Sequence, residues 1–305
     1  MCMRTNYMRT FSLHLFLLVA GVTAGALDWK QTDQSLALTS GTDVIWQFNY
    51  SKDEGKPYFH PLTINGVALT AHRPADHVWH WALWFSWKYL NGTNYWEFAK
   101  GESKPMGVTE LLDVKTEPRA DYSARFAFTL AYHPRGGANL LTEKRVVEVS
   151  APAKNGSYFI DWDATFTAGE TPVVLERTPP YVAKDGSKHG GYAGLSLRMA
   201  AETKDWKFFD SDNRTTEKVS GFPGRWFAAA GPNATIAILD HPKSFRHPTP
   251  WYLVKKMPFY EAAIIFAEPY TVPAGGRFSL RYRILVRPGA ASAEALQAEW
   301  KKFAK

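Results

Sequence analysis

The sequence contains almost no cysteine and, beyond its N-terminus, no long apolar segment. One cysteine, Cys2, among 305 residues excludes a disulfide framework and any multi-cysteine zinc or iron–sulfur site. After residue 26 no apolar stretch approaches the roughly 20 residues of a membrane helix, so we expect no membrane span in the mature chain. Basic residues are scattered, and no basic run exceeds two residues, which argues against a nucleic-acid partner.

The first 26 residues have the pattern of a secretory signal peptide. Arg4 and Arg9 give a positive start, residues 11–22 are almost entirely apolar, and a small-residue A-x-A cleavage signal ends at Ala26. We therefore expect cleavage after Ala26 and an exported protein, either periplasmic or extracellular; an uncleaved anchor is the alternative. Cleavage would also remove the only cysteine, which excludes thiol catalysis in the mature protein.

The remaining chain is rich in strand-forming patterns. Eight segments alternate in polarity or are enriched in β-branched and aromatic residues: 43–50, 124–132, 144–149, 158–167, 193–199, 235–239, 262–266 and 277–286. Turn dipeptides such as Asn155-Gly156 separate them, and no linker divides the chain. Near the C-terminus Ser292 can cap a helix that places Leu296, Trp300 and Phe303 on one face. The sequence predicts an all-β fold, with a single large antiparallel β-sandwich over residues 27–289 and a short helix over 290–305.

Polar side chains that could carry chemistry are concentrated in residues 58–81. This segment contains His60, His72, Arg73, Asp76, His77 and His80. Histidine exchanges protons near neutral pH and is the commonest metal ligand, so three interpretations remain open: ordinary loop residues, a metal site or acid/base catalysis. In the metal interpretation His77 and His80 would be joined by Asp76 or His60, although no H-E-x-x-H motif is present.

Aromatic side chains are unusually numerous, with 12 Trp, 14 Tyr and 19 Phe. Flat aromatic faces stack on sugar rings, while imidazole, carboxylate and guanidinium groups bind the hydroxyls, so residues 58–81 have the composition of a carbohydrate pocket. We expect a division among the tryptophans, with Trp79, Trp81 and Trp251 lining a groove and Trp84, Trp87 and Trp96 in structural positions.

Two further segments have the composition of the same pocket. Residues 188–194 are rich in glycine and include Tyr192, and they lack the G-x-G-x-x-G pattern of dinucleotide binding. Residues 240–252 place His247 and Trp251 among prolines, which stiffen loops. In both cases a rigid turn without a ligand is the alternative.

Taken together, these motifs resemble an exported bacterial family of unknown function labelled "methane oxygenase PmoA-like". The resemblance covers about residues 56–288 and rests on KPYFHP (56–61), PADHVWH (74–80), NGTNYW (91–96), GYAGLSLR (191–198), DHP (240–242) and RHPTPWY (246–252). It implies an exported β-rich domain from carbohydrate-degrading bacteria, similar to the galactose-mutarotase-like supersandwich. It assigns no catalytic residues.

The sequence therefore predicts an exported protein that acts on a sugar or glycan fragment. We expect His77 and His80 to donate or accept protons in lyase, hydrolase or epimerase chemistry, without a cofactor. The residues expected to bind the substrate are His60, Arg73, Asp76, Trp79, Trp81, Tyr192, His247 and Trp251. A non-catalytic glycan-binding module is the second possibility, and a metal-dependent oxygenase is the third.

Overall fold

The structure is a computed structural model that describes residues 26–184, 186, 188–215 and 219–305. Residues 1–25, which hold nearly all of the expected signal peptide, lie outside the described residues. The chain is all-β with one short C-terminal helix, as the sequence predicts. In the described part of the chain, no helix has the length and apolarity needed to cross a membrane.

The strands are numbered along the chain. They are β1 (Leu27–Gln31), β2 (Ser35–Ser40), β3 (Asp43–Asn49), β4 (Tyr58–Ile64), β5 (Val67–Ala68), β6 (Leu83–Ser86), β7 (Tyr89–Leu90), β8 (Thr93–Asn94), β9 (Gly107–Pro118), β10 (Ala124–Pro134), β11 (Leu141–Val149), β12 (Tyr158–Ala168), β13 (Val173–Glu176), β14 (Tyr181–Val182), β15 (Lys188–His189), β16 (Gly194–Arg198), β17 (Lys207–Asp210), β18 (Trp226–Ala230), β19 (Ala234–Asp240), β20 (Trp251–Val254), β21 (Phe259–Ala262), β22 (Tyr270–Val272) and β23 (Arg277–Pro288). A 3₁₀ turn covers Ala201–Thr203, and the helix α1 covers Ala293–Phe303.

Two large antiparallel sheets form a sandwich. The nine-stranded sheet has the order β1-β2-β3-β4-β6-β16-β21-β20, with β5 paired to β4. The eight-stranded sheet has the order β17-β18-β19-β23-β12-β11-β10-β9. Two small sheets, β22-β13-β7-β8 and the hairpin β14-β15, complete the fold.

Aromatic side chains from both large sheets fill the space between them. Phe126 of the eight-stranded sheet contacts Phe48 and Trp46 of the other sheet at ring-centroid distances of 4.5 and 6.2 Å. The hydroxyl of Tyr158 crosses the same space and donates to the carbonyl of Thr63 at 3.1 Å. Each large aromatic side chain buried here contributes roughly 1.5–3 kcal/mol, so this interface holds the two sheets together.

The C-terminal helix covers the outer face of the eight-stranded sheet. Ser292 caps α1 by accepting from the Ala295 amide at 3.2 Å. Leu296 is buried against β18 and β19, and the indoles of Trp226 and Trp300 donate to the Gln297 side chain and the Asp240 carbonyl. The expected helix and its apolar face are confirmed.

Most of the expected strands are present, but one is displaced. The segment 262–266 was expected to be a strand, whereas the strand β21 ends at Ala262 and residues 263–266 form a turn. Residues 263–265 are buried, so their apolar run reflects packing under a turn. The Asn155-Gly156 hairpin is confirmed, since it joins the antiparallel strands β11 and β12.

The outer face of the nine-stranded sheet carries the candidate site. In β16, Leu195 and Leu197 point into the sandwich core, so Ser196 and Arg198 lie on the opposite face because successive strand residues alternate. The same alternation places Trp84 of β6 and the non-core residues of β20 and β21 on this outer face. Long loops cover these residues, and a cavity lies beneath them.

Candidate functional site

The cavity on the outer face of the nine-stranded sheet has a volume of about 430 Å³. Its aromatic lining comprises Trp79, Trp96, Tyr181, Tyr192, Tyr252 and Phe259. Its titratable lining includes His77, His80, Glu97 and His189. We call this space the first cavity. Of the residues that the sequence singled out, it brings together His77, His80, Trp79 and Tyr192.

Two consecutive turns shape the loop that carries both histidines. The amide of His77 donates to the Pro74 carbonyl, and the amide of His80 donates to the His77 carbonyl, each at 2.9 Å. The loop is closed where the Arg73 amide donates to the His80 carbonyl at 2.8 Å. This folding brings the two imidazole rings to a centroid distance of 4.7 Å.

His77 forms the middle of a chain of polar contacts. Its Nδ1 lies 3.2 Å from a carboxylate oxygen of Asp76, and its Nε2 has no hydrogen-bond partner in the described part of the chain. Arg198 donates to both oxygens of Asp76 at 2.9 and 2.7 Å. Burial alone would raise the pKa of Asp76, but the hydrogen bonds from Arg198 and His77 lower it below its usual range. A carboxylate in this position favours the His77 tautomer with hydrogen on Nδ1 and a free lone pair on Nε2.

His80 has a different environment from His77. It is buried, and its ring stacks on Phe259 at 4.9 Å and contacts Trp84 at 5.3 Å. Burial, reinforced by the charges of His77 and Arg198, lowers the pKa of His80 far below its ordinary value. Its Nδ1 is buried and lacks a partner among the described residues. The side chain is therefore a neutral imidazole near neutral pH, with one N–H donor and one acceptor nitrogen and no positive charge.

A partly buried carboxylate forms another part of the cavity wall. Glu97 accepts a hydrogen bond from the Tyr192 hydroxyl at 3.0 Å and another from Asn94 at 2.7 Å, and it pairs with the buried Lys88 ammonium. Burial alone would raise the pKa of Glu97, but Lys88 and these hydrogen bonds lower it below its usual range. The Tyr192 hydroxyl is thereby fixed as a donor to an ionised group.

The glycine-rich segment that carries Tyr192 serves the packing of two strands. A Cβ added to Gly194, which has φ +146°, would lie 2.0 Å from the carbonyl oxygen of Ala262 on the adjacent strand. Only glycine permits this close approach. Tyr192, two positions earlier, then extends over Trp96 at a centroid distance of 5.2 Å.

A second carboxyl group lies within the sheet near the first cavity. Glu261 is fully buried between its cross-strand neighbours Tyr252 and Ser196, and it accepts from the Ser196 hydroxyl at 2.8 Å. Its other oxygen has no partner among the described residues. Burial raises the pKa of Glu261 to about 8, so the group is mostly protonated near neutral pH.

Four further predicted residues lie outside the first cavity. His60 bonds to the Thr70 hydroxyl at 2.9 Å and neighbours the His72 ring at 5.6 Å. Arg73 and Trp81 line a separate, adjacent cavity. Asp76 contacts His77 as described but is not part of the lining. The segment 58–81 therefore contributes side chains to two neighbouring cavities.

Two expectations from the proline-rich segment need correction. Trp251, which was expected to line a groove, is completely buried between the two large sheets, where its indole donates to the Gly224 carbonyl at 3.0 Å. His247 does not line the cavity either; it bonds to the buried Asp240 at 2.7 Å and lies parallel to the Trp300 ring of the C-terminal helix. The prolines and aromatic side chains of this segment therefore have a packing role.

The sequence reasoning also missed part of the site. Glu97 was not singled out, and Trp96 was assigned a structural position although it lines the cavity. Arg198 was noted only as the last residue of the GYAGLSLR motif. One signal was present for Arg198, because a charged residue ending a strand of otherwise buried residues requires a partner.

The described residues contain no group of three or more His, Cys, Asp or Glu side chains arranged to hold a metal ion. His77 and His80 are close, but His60 faces the His72 ring and Asp76 is held by Arg198. The described residues therefore do not form the set of ligands that the metal interpretation requires.

Comparison with known proteins identifies the family. The model of a family of unknown function, DUF6807, matches residues 35–301. The protein belongs to the DUF6807 family. A family of unknown function was expected from the resemblance, and the matched family carries no methane-oxygenase label. No curated protein matches the DUF6807 chain significantly.

Solved structures give a distant likeness. One of the matches is the crystal structure of the Slr1438 protein from Synechocystis sp. PCC 6803, which is 9% identical. The alignment covers 90% of this DUF6807 chain and 99% of the other, with a TM-score of 0.41. A likeness of this size says nothing about function.

Proposed function

We propose that this DUF6807 protein is an exported carbohydrate-active enzyme that performs acid/base chemistry on a sugar or glycan fragment in the first cavity. The observation that carries the proposal is the Arg198–Asp76–His77 chain, whose His77 lines a cavity with aromatic walls. The resemblance of the sequence motifs to exported proteins of carbohydrate-degrading bacteria supports the same substrate class and location.

The walls of the first cavity suit a sugar ring. Trp79 and Tyr252 present aromatic surfaces to the cavity, and a volume of about 430 Å³ accommodates one or two sugar units. The polar groups on the same walls, including His80 and the Tyr192–Glu97 pair, offer donors and acceptors for hydroxyl groups. Because His80 stays neutral, it fits a binding role better than the proton-transfer role expected from the sequence.

His77 is the group that fits proton transfer. Asp76 orients its Nδ1–H, so Nε2 can take a proton from the substrate, and the resulting imidazolium is stabilised by the adjacent carboxylate. Arg198 holds Asp76 in place from a strand of the sheet, which keeps the geometry rigid. Lyase, hydrolase and epimerase reactions all use such a proton acceptor, which returns its proton later in the cycle.

The test compares turnover and binding in matched histidine variants. A panel of glycans is assayed with the wild type, with His77→Ala, and with His133→Ala as a control, because His133 lines neither cavity. His77→Ala should lower turnover at least a hundredfold, the usual contribution of general acid/base catalysis, while glycan binding largely survives. His133→Ala should leave both unchanged.

Asp76→Asn provides a second test of the same chain. The amide cannot stabilise the imidazolium and can present its NH₂ group to Nδ1, so turnover should fall with little change in substrate affinity. If glycans bind without turnover, and binding weakens in His77→Ala only in proportion to lost contacts, the protein is a binding module and the catalytic proposal is wrong. Absence of both binding and turnover across the panel contradicts the carbohydrate assignment itself.

A further inference from the structure

A second cavity of about 210 Å³ lies next to the first. The loop 52–56 forms one side of it, residues 103–105 and 107–110 form another, and the side chains of Arg73, Trp81 and Phe98 contribute to the rest.

Two short segments form the wall between the cavities. In the segment 79–81, Trp79 and His80 line the first cavity and Trp81 lines the second. In the segment 96–98, residues 96 and 97 line the first cavity and Phe98 lines the second. The rings of Trp79 and Phe98 meet at 6.4 Å, so an aromatic ridge separates two adjoining spaces. A ligand that crosses the ridge would contact both cavities.

The second cavity contains buried polar groups with unused hydrogen-bonding capacity. Lys56 is 6% exposed, and its ammonium group donates to the Tyr95 carbonyl at 2.6 Å, which leaves further N–H donors. Trp81 is 5% exposed, and its buried indole N–H has no partner among the described residues. A buried donor without a partner is costly, so these groups point to a ligand that accepts hydrogen bonds.

Arg73 adds an oriented cation at the same place. Its guanidinium group lies over the rings of Trp81 and Phe98 at 5.5 and 5.4 Å, and its Nε donates to the Val78 carbonyl at 3.2 Å. The terminal nitrogens form no hydrogen bond within the described ranges. These contacts hold the guanidinium beside the two rings and leave its terminal nitrogens available for an anion.

The charge of the lining favours a singly charged anion. The basic lining residues are Lys52, Lys56, Arg73, Lys104 and Arg135, and the acidic ones are Asp53, Glu54 and Glu110. Arg135 is already paired with Glu102, and Glu110 lies 3.5 Å from His133. Burial lowers the pKa of Lys56 to about 7, so the positive charge comes mainly from Lys52, Arg73 and Lys104. A modest excess of positive charge remains, and the neighbouring Glu54 would oppose a doubly charged phosphate more than a carboxylate.

We propose that the second cavity binds a carboxylate group of the ligand, as carried by a uronic acid residue next to the sugar in the first cavity. The carboxylate accepts from the terminal nitrogens of Arg73, from the ammonium of Lys56 and from the indole N–H of Trp81. This deepens the proposed function, on which it rests for the identity of the neighbouring sugar, and it makes acidic glycans the substrate class.

Calorimetric titration with glucuronate, glucose and inorganic phosphate tests the assignment on the full-length protein. Wild type should bind glucuronate at least tenfold more tightly than glucose. Arg73→Gln should remove most of that preference, since losing a hydrogen bond to a charged group costs roughly tenfold or more in affinity. Trp81→Phe, which keeps an aromatic ring, should weaken glucuronate binding several-fold. Lys115→Gln, at a site that lines neither cavity, should have no effect.

The outcomes distinguish this proposal from the proposed function. Equal binding of glucuronate and glucose, a preference that survives both Arg73→Gln and Trp81→Phe, or tighter binding of phosphate would each overturn the carboxylate site. If neutral glycans are turned over in a His77-dependent reaction while glucuronate shows no preference, the proposed function stands and the second cavity has been misassigned. If glucuronate binding depends on Arg73 but His77→Ala changes no reaction, the carboxylate site stands and the enzymatic proposal fails.

Discussion

An ion pair lies inside the sandwich core, away from both cavities. Glu143 and Arg145, on the same strand, are 0% and 1% exposed, and they form a two-pronged pair in which one N–O distance is 2.8 Å. The Tyr132 hydroxyl also donates to the carboxylate. The guanidinium lies over the Trp162 ring at 4.5 Å, so apolar side chains surround the pair.

Removing the charge of Glu143 should destabilise the protein strongly. In Glu143→Gln the volume is kept, but the positive charge of Arg145 remains in the core without a counter-charge, which costs about 3–5 kcal/mol. That is a large part of the roughly 5–15 kcal/mol by which domains are stable. Because the penalty comes from one unpaired charge, Glu143→Leu combined with Arg145→Met should recover most of the loss. The buried Tyr132 hydroxyl loses its acceptor in the double variant, which should keep it somewhat below wild-type stability.

Urea unfolding followed by tryptophan fluorescence measures these differences. Glu148→Gln on the same strand is the control, because Glu148 is exposed and its pairs with Arg119 and Arg125 are both 3.5 Å long; this change should cost less than about 1 kcal/mol. The reasoning is refuted if Glu143→Gln costs no more than the control, or if the double variant is as unstable as Glu143→Gln.

Two further predictions concern the outer face and the core. Burial raises the pKa of Glu261 from its ordinary value of 4.5 to about 8 in the folded protein. The contribution of this group to the free energy of unfolding is therefore fully present below about pH 4.5 and is lost as the pH rises to 8. The stability of Glu261→Gln relative to wild type should therefore increase from pH 5 to 8 in thermal melts, and a constant difference would contradict the raised pKa. Trp251→Ala should lower the free energy of unfolding by about 3–5 kcal/mol without a specific effect on glycan binding. Trp79→Ala should weaken glycan binding and lower the free energy of unfolding by only about 1 kcal/mol. Equal stability losses of the two variants in urea unfolding would contradict this division.

Strands with one buried face and one partly exposed face were predictable from the sequence. In β12 the burial alternates along the whole strand, because one face meets the sandwich core and the other is partly solvated, and the period-two pattern records this difference. The strand β18 was missed because the C-terminal helix covers its second face, so all five residues of Trp226–Ala230 are buried and no alternation remains. The strand β9 was missed for the opposite reason, since much of its 12-residue length is exposed.

The site was predictable mainly where one short loop supplies it; among the predicted lining residues, Tyr192 comes from a different segment. Asp76, His77 and His80 lie within five positions, so their proximity follows from local turns. Arg198 reaches Asp76 from a strand 122 positions further along the chain, and no local pattern specifies that distance. The contact depends on the register of β16 between β6 and β21, which long-range sheet pairing decides. Local composition identified the proton-transfer candidate His77, whereas strand register supplied the residue that holds its carboxylate partner in place.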